Sequence, residues 1–187
     1  MGHAKKEAEW VIVDRLADVI LNNVEGCIVD IGMGLSTVIL SRYAIMFNRK
    51  QYSCDIDKWC AKKLSNLHPN HKVFIGSSEN FLKEFNDTPA LVFIDDSHQY
   101  SNVKREMDFF LDRIAYQGII FLHDTIPISE EFISSEGGKC GEAYRIRQEL
   151  EKRSDLWTFT WAYPKQAQNC GLTMITKKDL NRPFYQI

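Results

Sequence analysis

The sequence predicts an α/β protein: a mostly parallel, seven-stranded sheet with helices on both faces and an antiparallel hairpin at its C-terminal end. Three observations predict it. Short apolar runs rich in β-branched residues alternate with longer stretches of helical spacing, the pattern of a parallel sheet covered by helices. The apolar runs are followed by acids, small residues or histidines, so polar chemistry collects at one end of the strands. The last two strands have only a polar loop between them, which makes them a hairpin. The length of 187 residues suits one domain. At 44% hydrophobic residues it can bury a sizeable core without disulfides or a structural metal.

The elements follow in order. An N-terminal segment, residues 1–23, carries an amphipathic helix over 5–22. In it Trp10, Val13, Leu16, Ala17, Ile20 and Leu21 recur at threes and fours. Gly26 breaks the chain before a strand over Cys27–Ile31. The turn at Gly32 and Gly34 leads to a helix over 36–47, with Ser36 or Thr37 as its cap. A strand over Gln51–Ile56 precedes a helix starting near Asp57, a second capping residue, and Pro69 closes that unit. Val73–Ile75 forms a strand, Gly76-Ser77-Ser78 a turn, and 79–86 a helix. Leu91–Ile94 and Ile119–Leu122 are apolar strands separated by a helix over 100–115. Residues 126–140 read as a polar loop placed to act as a lid, with Gly137 and Gly138 as hinge. A helix over 141–153 precedes the hairpin strands 157–162 and 172–176.

Composition narrows the function classes. A net charge of −2 argues against charge-driven nucleic-acid binding. The sequence holds no apolar run of the roughly 18 residues a membrane helix needs, and no apolar stretch follows the basic N-terminus as in a secretory signal. The five cysteines, Cys27, Cys54, Cys60, Cys140 and Cys170, show no C-x-x-C spacing. They read as reduced thiols of a cytoplasmic protein.

In doubly wound sheets the ligand lies in a crevice at the carboxyl ends of the strands. The informative residues therefore follow each strand: Asp30-Gly32-Gly34, Asp55-Asp57, Ser77-Ser78-Glu79, Asp95-Asp96-Ser97-His98 and His123-Asp124-Thr125. Two glycines allow close backbone approach, and the next helix N-terminus offers free N–H groups to an anion. Asp55, at the second strand end, suits the hydroxyls of a ribose, while Asp57 suits a helix cap. The glycine turn paired with this acid points to a nucleoside-containing cofactor.

The turn departs from G-x-G-x-x-G, because Thr37 stands at the third glycine position, and an acid, Asp30, precedes it. With the terminal hairpin, these features resemble the class I S-adenosylmethionine (SAM)-dependent methyltransferases, which have a Rossmann-like, seven-stranded sheet. Residues 91–125 resemble a small-molecule O-methyltransferase-like subfamily marked by D-x-x-H-x-Y, a long helix with an internal acid, and G-G-x-x-x-x-H-D. Asp95, His98, Tyr100, Asp108, Gly118, His123 and Asp124 match it, and Gln117 departs from the first glycine. The resemblance implies methyl transfer from SAM to a hydroxyl of a small-molecule or sugar-like acceptor. It implies that Asp30, Gly32, Gly34, Ser36 and Thr37 hold the methionine part and that Asp55 takes the ribose. Ser77, Ser78 and Glu79 would flank the adenine, and Asp95 would lie beneath the methyl donor. Asp95 and Asp124 would bind a divalent cation such as Mg²⁺, with His98 and His123 nearby as further ligands. Alternatively, His98 or His123 acts as general base beside Asp95.

Three rival readings stay open at this level. Tyr100-x-x-x-Lys104 is the pair of a short-chain dehydrogenase using NAD, although it lies after the fourth strand. A nucleic-acid amino-methylating enzyme would carry N/D-P-P-Y/F where this chain reads Asp95-Asp96-Ser97-His98. A SAM-fold scaffold without catalysis would not need Asp55, Asp95, His123 and Asp124 together. No membrane contact is expected. Trp10 belongs either to the core or to the acceptor wall, and Trp157, Trp161 and Phe184 leave a homo-oligomeric interface open.

Overall fold

The computed structural model describes residues 8–127, 133, 140–162 and 171–179. Helix α1 (Ala8–Asn23) leads into β1 (Cys27–Ile31), α2 (Leu35–Met46), β2 (Gln51–Asp55), α3 (Lys58–Leu64), β3 (His71–Ile75) and α4 (Ser78–Glu84). Then come β4 (Pro89–Ile94), α5 (Tyr100–Arg113), β5 (Ile119–His123), α6 (Ala143–Leu150), β6 (Leu156–Trp161) and β7 (Leu172–Lys177). The seven strands form one sheet in the order β3-β2-β1-β4-β5-β7-β6. The first five run parallel, and β7 is inserted antiparallel between β5 and β6.

Strand periodicity decides which side chain meets which helix. On β4, Val92 and Ile94 join a core with Phe81, Val103, Met107, Phe110 and Ile146 of α4, α5 and α6. Leu91 and Phe93 join the opposite core, with Val13, Ala17 and Leu21 of α1 and Leu40 and Tyr43 of α2. Both faces are thus covered, as near-continuous apolar strands require. The chain winds outward from β1 to β3, then returns to place β4 beside β1. That reversal opens a crevice between the C-terminal ends of β1 and β4.

Several sequence expectations shift. The N-cap of α2 is Gly34, not Ser36 or Thr37. The Thr37 hydroxyl instead accepts the Gly34 N–H at 2.9 Å, and both hydroxyl residues also bond Asp30. Asp57 caps α3 as expected, accepting from Trp59 N at 2.8 Å. β3 begins at His71, two residues before the apolar run: its backbone pairs in register with Gln51 of β2, and the His71 ring lies 2.8 Å from the Ser53 hydroxyl. Cys27, Cys54 and Cys60 are free thiols, but Cys140 is disulfide-bonded, which corrects the expectation that all are reduced. Trp161 packs against the core, while Trp157 is half-exposed with the Lys178 ammonium 4.3 Å from its ring centroid. The lid expected over 126–140 lies mostly outside the described residues, as does Phe184. No described helix is long and apolar enough to cross a membrane.

Gln117 adopts φ 63° in the turn before β5, while Gly118 is held tight: a Cβ there would stand 2.8 Å from the Ala90 carbonyl oxygen. A non-glycine residue in the left-handed region costs about 1–2 kcal/mol, and glycine gives back roughly half of that as unfolded-state entropy. Gln117→Gly is therefore expected to raise stability by about 0.5–1 kcal/mol. A urea titration checks this: the midpoint should rise at unchanged slope, and a lower midpoint contradicts it.

Candidate active site

A cavity of about 450 Å³ opens at the C-terminal ends of β1 to β4. Its floor is the turn after β1. Gly32 sits at φ +87°, and a Cβ on it would lie 1.9 Å from the Asp95 carbonyl oxygen. Only glycine lets β1 and β4 approach this closely. Gly34 differs: it lines the cavity, and nothing lies within 4 Å of where its Cβ would stand. No protein atom crowds that position, and the backbone there faces the cavity without a side chain.

Asp30 is fully buried in the middle of β1, on the face that carries α2. It accepts hydrogen bonds from Ser36 Oγ at 2.8 Å and from the Thr37 hydroxyl. Burial pushes its carboxyl up to about 7 against the opposing pull of the Thr37 and Ser36 hydroxyls. Ser36 also lines the cavity, whereas Asp30 and Thr37 stand behind the turn and fasten it. Asp55 lines the cavity from β2 and is itself fixed by two backbone donors, Met33 N at 2.8 Å and Asp57 N at 2.7 Å. It thus ties the glycine turn to the second strand end while facing the ligand space. Ile56, next along, is an exposed apolar wall that the sequence reading missed.

At the β3 end, Ser77 caps α4 by accepting from Asn80 N, and with Ser78 it lines the cavity. Glu79 does not line it. It points to solvent and pairs with Lys83 at 3.0 Å and Arg105 at 3.8 Å, which corrects its place in the adenine wall. Tyr100 and Lys104 are also absent from the cavity lining. The Tyr100 hydroxyl donates to Glu149 of α6 at 2.7 Å, and Lys104 pairs with Asp108 at 2.7 Å. The dehydrogenase pair is therefore a set of surface contacts. The same contact places Asp108 outside the site; the acid that α5 turns inward is Glu106, fully buried beside Asp96.

Asp95 joins the cavity to a second cluster. Its Oδ1 lies 3.2 Å from His98 Nε2 and 3.1 Å from His123 Nδ1. Asp124 reaches the same two rings, with Oδ2 3.3 Å from His98 Nε2 and Oδ1 3.3 Å from His123 Nδ1. Burial opposes charge on Asp95, yet His123 and His98 outweigh it and hold the carboxyl far below its usual range. Burial likewise works against charge on His123, but Asp95, Asp124 and Glu9 keep that imidazolium well above its ordinary value. His98 is raised as well, burial being overcome by Asp95 and Asp124. One atom each of Asp95, His98 and Asp124 lie within 4.8 Å of one another, a spacing that could hold a metal ion. The backbone accepts strain to build this cluster: His98 and Asp124 sit at φ 52° and 56°. The approach to α6 clamps His98, since Glu142 N donates to its carbonyl at 2.8 Å.

Helix α1 supplies a part the sequence reading missed. Glu9 is 2% exposed, with Oε2 3.5 Å from His123 Nε2. Trp10 stacks on His123 with ring centroids 5.5 Å apart and also lines the cavity. It is thus core and wall at once. The signal in the sequence was the adjacency of an acid and an indole on the helix that faces the strand ends.

A sequence model described as a methyltransferase domain matches residues 29–125. The chain belongs to that methyltransferase family. No curated protein matches it by sequence. Among solved structures, it resembles the O-methyltransferase TomG of Streptomyces achromogenes, solved with SAM. That match has 14% identity and a TM-score of 0.71, covering 93% of this chain and 81% of the other. It also resembles an O-methyltransferase of Bacillus cereus solved with S-adenosylhomocysteine (SAH), at 16% identity and a TM-score of 0.69, covering 95% and 84%. An rRNA methylase of Streptococcus thermophilus aligns at 17% identity and a TM-score of 0.63, covering 92% and 98%. These likenesses establish the fold, that of the class I SAM-dependent methyltransferases.

The Asp30 lock carries a pH signature. Its carboxyl moves from 3.8 to about 7 on folding. The folded state therefore binds more protons between those values, and stability is lost as pH rises through that window. Asp30→Asn, which cannot ionise, should flatten this part of the profile. Urea unfolding at pH 4 and pH 7 checks it. The variant should gain on wild type by on the order of a few kcal/mol between the two; parallel profiles contradict the assignment.

Proposed function

We propose that the chain, acting as one catalytic domain, transfers the methyl group of SAM to a hydroxyl oxygen of a small-molecule or sugar-like acceptor. The observation that carries this reading is Asp95: one carboxylate borders the nucleoside-sized cavity and anchors both histidines of the adjoining cluster. The O-methyltransferases solved with SAM or SAH support it. The cavity residues fit the cofactor, because Gly34 leaves its backbone bare and Asp55 presents a fixed carboxylate. When bound, SAM supplies a sulfonium-activated methyl electrophile.

The chain's residues then orient and exchange a proton. Asp55 would accept from the ribose hydroxyls. Gly32, Gly34, Ser36 and the α2 N-terminus would cradle the methionine end, with Asp30 and Thr37 fastening them from behind. Ser77 and Ser78 would border the base. Asp95, which lines the cavity beside both histidines, would border the methyl donor. His98, whose Nε2 faces the carboxylates of Asp95 and Asp124, takes the acceptor's hydroxyl proton on its other ring nitrogen, while His123, held as an imidazolium between Asp95 and Glu9, fixes the carboxylate's orientation. The spacing of Asp95, His98 and Asp124 favours a second form of the site, in which they hold a divalent cation such as Mg²⁺. A cation there would lower the acceptor hydroxyl's pKa.

No nucleic acid or membrane partner belongs to this reading, and the rRNA methylase shares only the fold. Half-exposed Trp157 and Phe159 on edge strand β6 are where a homo-oligomer would form. A cytoplasmic setting is supported by the free thiols of Cys27, Cys54 and Cys60, with the Cys140 disulfide standing against it.

The test is SAH release across a panel of hydroxylated small molecules. His98→Ala should lower kcat by roughly 10²–10⁴-fold. His98 acts as a base in its neutral form, and its pKa is raised, so kcat/KM should climb with pH through a value above 6.5. Activity that survives a chelator assigns the proton to His98 alone, whereas activity lost to the chelator and restored by Mg²⁺ assigns the cation form. Full activity in His98→Ala under both conditions rejects the proposed site.

A further inference from the structure

The turn that carries His98 is held from outside the strand-end cluster. His98 lies between β4 and α5 with φ 52°, a backbone region uncommon for any residue with a side chain. Its neighbour does little to secure it, since Gln99 opens α5 without a side-chain cap bond. The first N–H groups of a helix have no partner within the helix. The start of α5 therefore leaves the Tyr100 N–H to be taken by a group from elsewhere in the chain.

That group is Glu142, the residue that opens α6. Its Oε2 accepts from Tyr100 N at 3.2 Å, while its own backbone N–H donates to the His98 carbonyl at 2.8 Å. One residue thus bridges positions 98 and 100, as acceptor at one and donor at the other. Arg145 steadies the carboxylate, with Nη1 2.5 Å from Glu142 Oε1 and its guanidinium 4.5 Å from the Tyr100 ring centroid. Gly141 makes the approach possible. It sits at φ +48°, and a Cβ on it would stand 2.7 Å from both the Cβ and the carbonyl oxygen of His98. A residue without a side chain is what lets this segment lie against His98. Cys140, just before it, is fully buried and disulfide-bonded, so the segment starts from a fixed point. A rotation at His98 would break the Glu142 bond to its carbonyl and swing the imidazole away from Asp95 and Asp124, the two carboxylates its Nε2 faces.

We propose that Gly141 and Glu142 are positioning residues for His98: they cap α5 from outside and hold the left-handed turn that aims the imidazole at Asp95 and Asp124. Neither residue lines the cavity, so both act through His98. The proposal rests on the role of His98 given above, in its proton-accepting or its cation-holding form. A site held to within a fraction of an ångström needs its side chains locked by such supporting contacts, and here they come from a segment more than 40 positions further along the chain.

The experiment is proton–carbon NMR of the full chain labelled with ¹³C at the histidine ring Cε1, recorded at one fixed pH and without ligand. The His98 signal is identified by its loss in His98→Ala. Wild type should give one sharp His98 signal, displaced from that of a histidine in an unstructured peptide. In Glu142→Ala the signal should broaden and shift toward the unstructured position. Glu142→Gln keeps a side-chain oxygen for the Tyr100 N–H and should restore the wild-type signal. Gly141→Ala sets a methyl group against His98 and should displace the signal as well. The His68 and His71 signals, from the β2–β3 side of the sheet, should stay in place in all three variants. A merely structural Glu142 would lower the melting temperature and leave the His98 signal where it is, so an unmoved signal in Glu142→Ala overturns the proposal. Should Gly141→Ala fail to fold, the Glu142→Ala and Glu142→Gln pair still decides it. The role of His98 itself fails separately: His98→Ala with full activity rejects that role, even where the His98 signal moves as expected.

Discussion

The structure turns on one carboxylate. Asp95 closes β4, and its backbone N–H donates to the Ile31 carbonyl at 2.8 Å, which fixes the ends of β1 and β4 against each other. Its own carbonyl presses so close to Gly32 that no side chain could stand there. Its side chain meanwhile borders the cavity and holds His98 and His123. A single residue therefore sets the distance between the glycine turn and the histidine cluster. The cost of burying this charge is offset by two imidazoles rather than one, which keeps Asp95 ionised and both rings directed inward. Methyl transfer asks for alignment more than for covalent chemistry, and a joint fixed by both backbone and side chain supplies it.

The rest of the molecule reinforces that joint from several directions. Asp30, Ser36 and Thr37 lock the turn from below, and Asp55 locks it from the side through Met33 N. Glu9 and Trp10 brace His123 from α1. The entry to α6 braces His98 through the Glu142 N–H. Left-handed backbone at His98 and Asp124 is tolerable because these contacts over-determine their positions.

Much of this was legible in the sequence, for reasons that can be named. Apolar runs such as Leu91–Ile94 and Ile119–Leu122 are buried on both faces, so their composition alone announces a central parallel strand. β3 was partly hidden because it is an edge strand, where His71 and Lys72 satisfy the pleat without apolar side chains. Strand-end logic brought Asp55, Ser77, Ser78 and Asp95 to the cavity. Sequence spacing could not separate residues that touch a ligand from those that hold the turn; Asp30 and Thr37 are of the second kind because β1 directs residue 30 into the α2 face. Glu79 sits one residue beyond the reach of the cavity, where α4 has already rotated it to solvent. Glu106 was visible in principle, since it falls on the stripe of Val103, Met107 and Phe110, but the motif drew attention to Asp108 instead. Glu9 left only its adjacency to Trp10 as a signal, because its burial arises from α1 packing at the strand ends, a tertiary fact that local spacing does not carry.

In the proposed reading the bare backbone at Gly34 serves the cofactor and not the fold. Gly34 has an extended φ of −167° and open space where a side chain would begin. Isothermal titration of SAM into Gly34→Val, alongside a melting curve, tests this directly. The variant should keep a melting temperature close to that of wild type and lose measurable SAM binding. A folded Gly34→Val variant that binds SAM as tightly as wild type would contradict it.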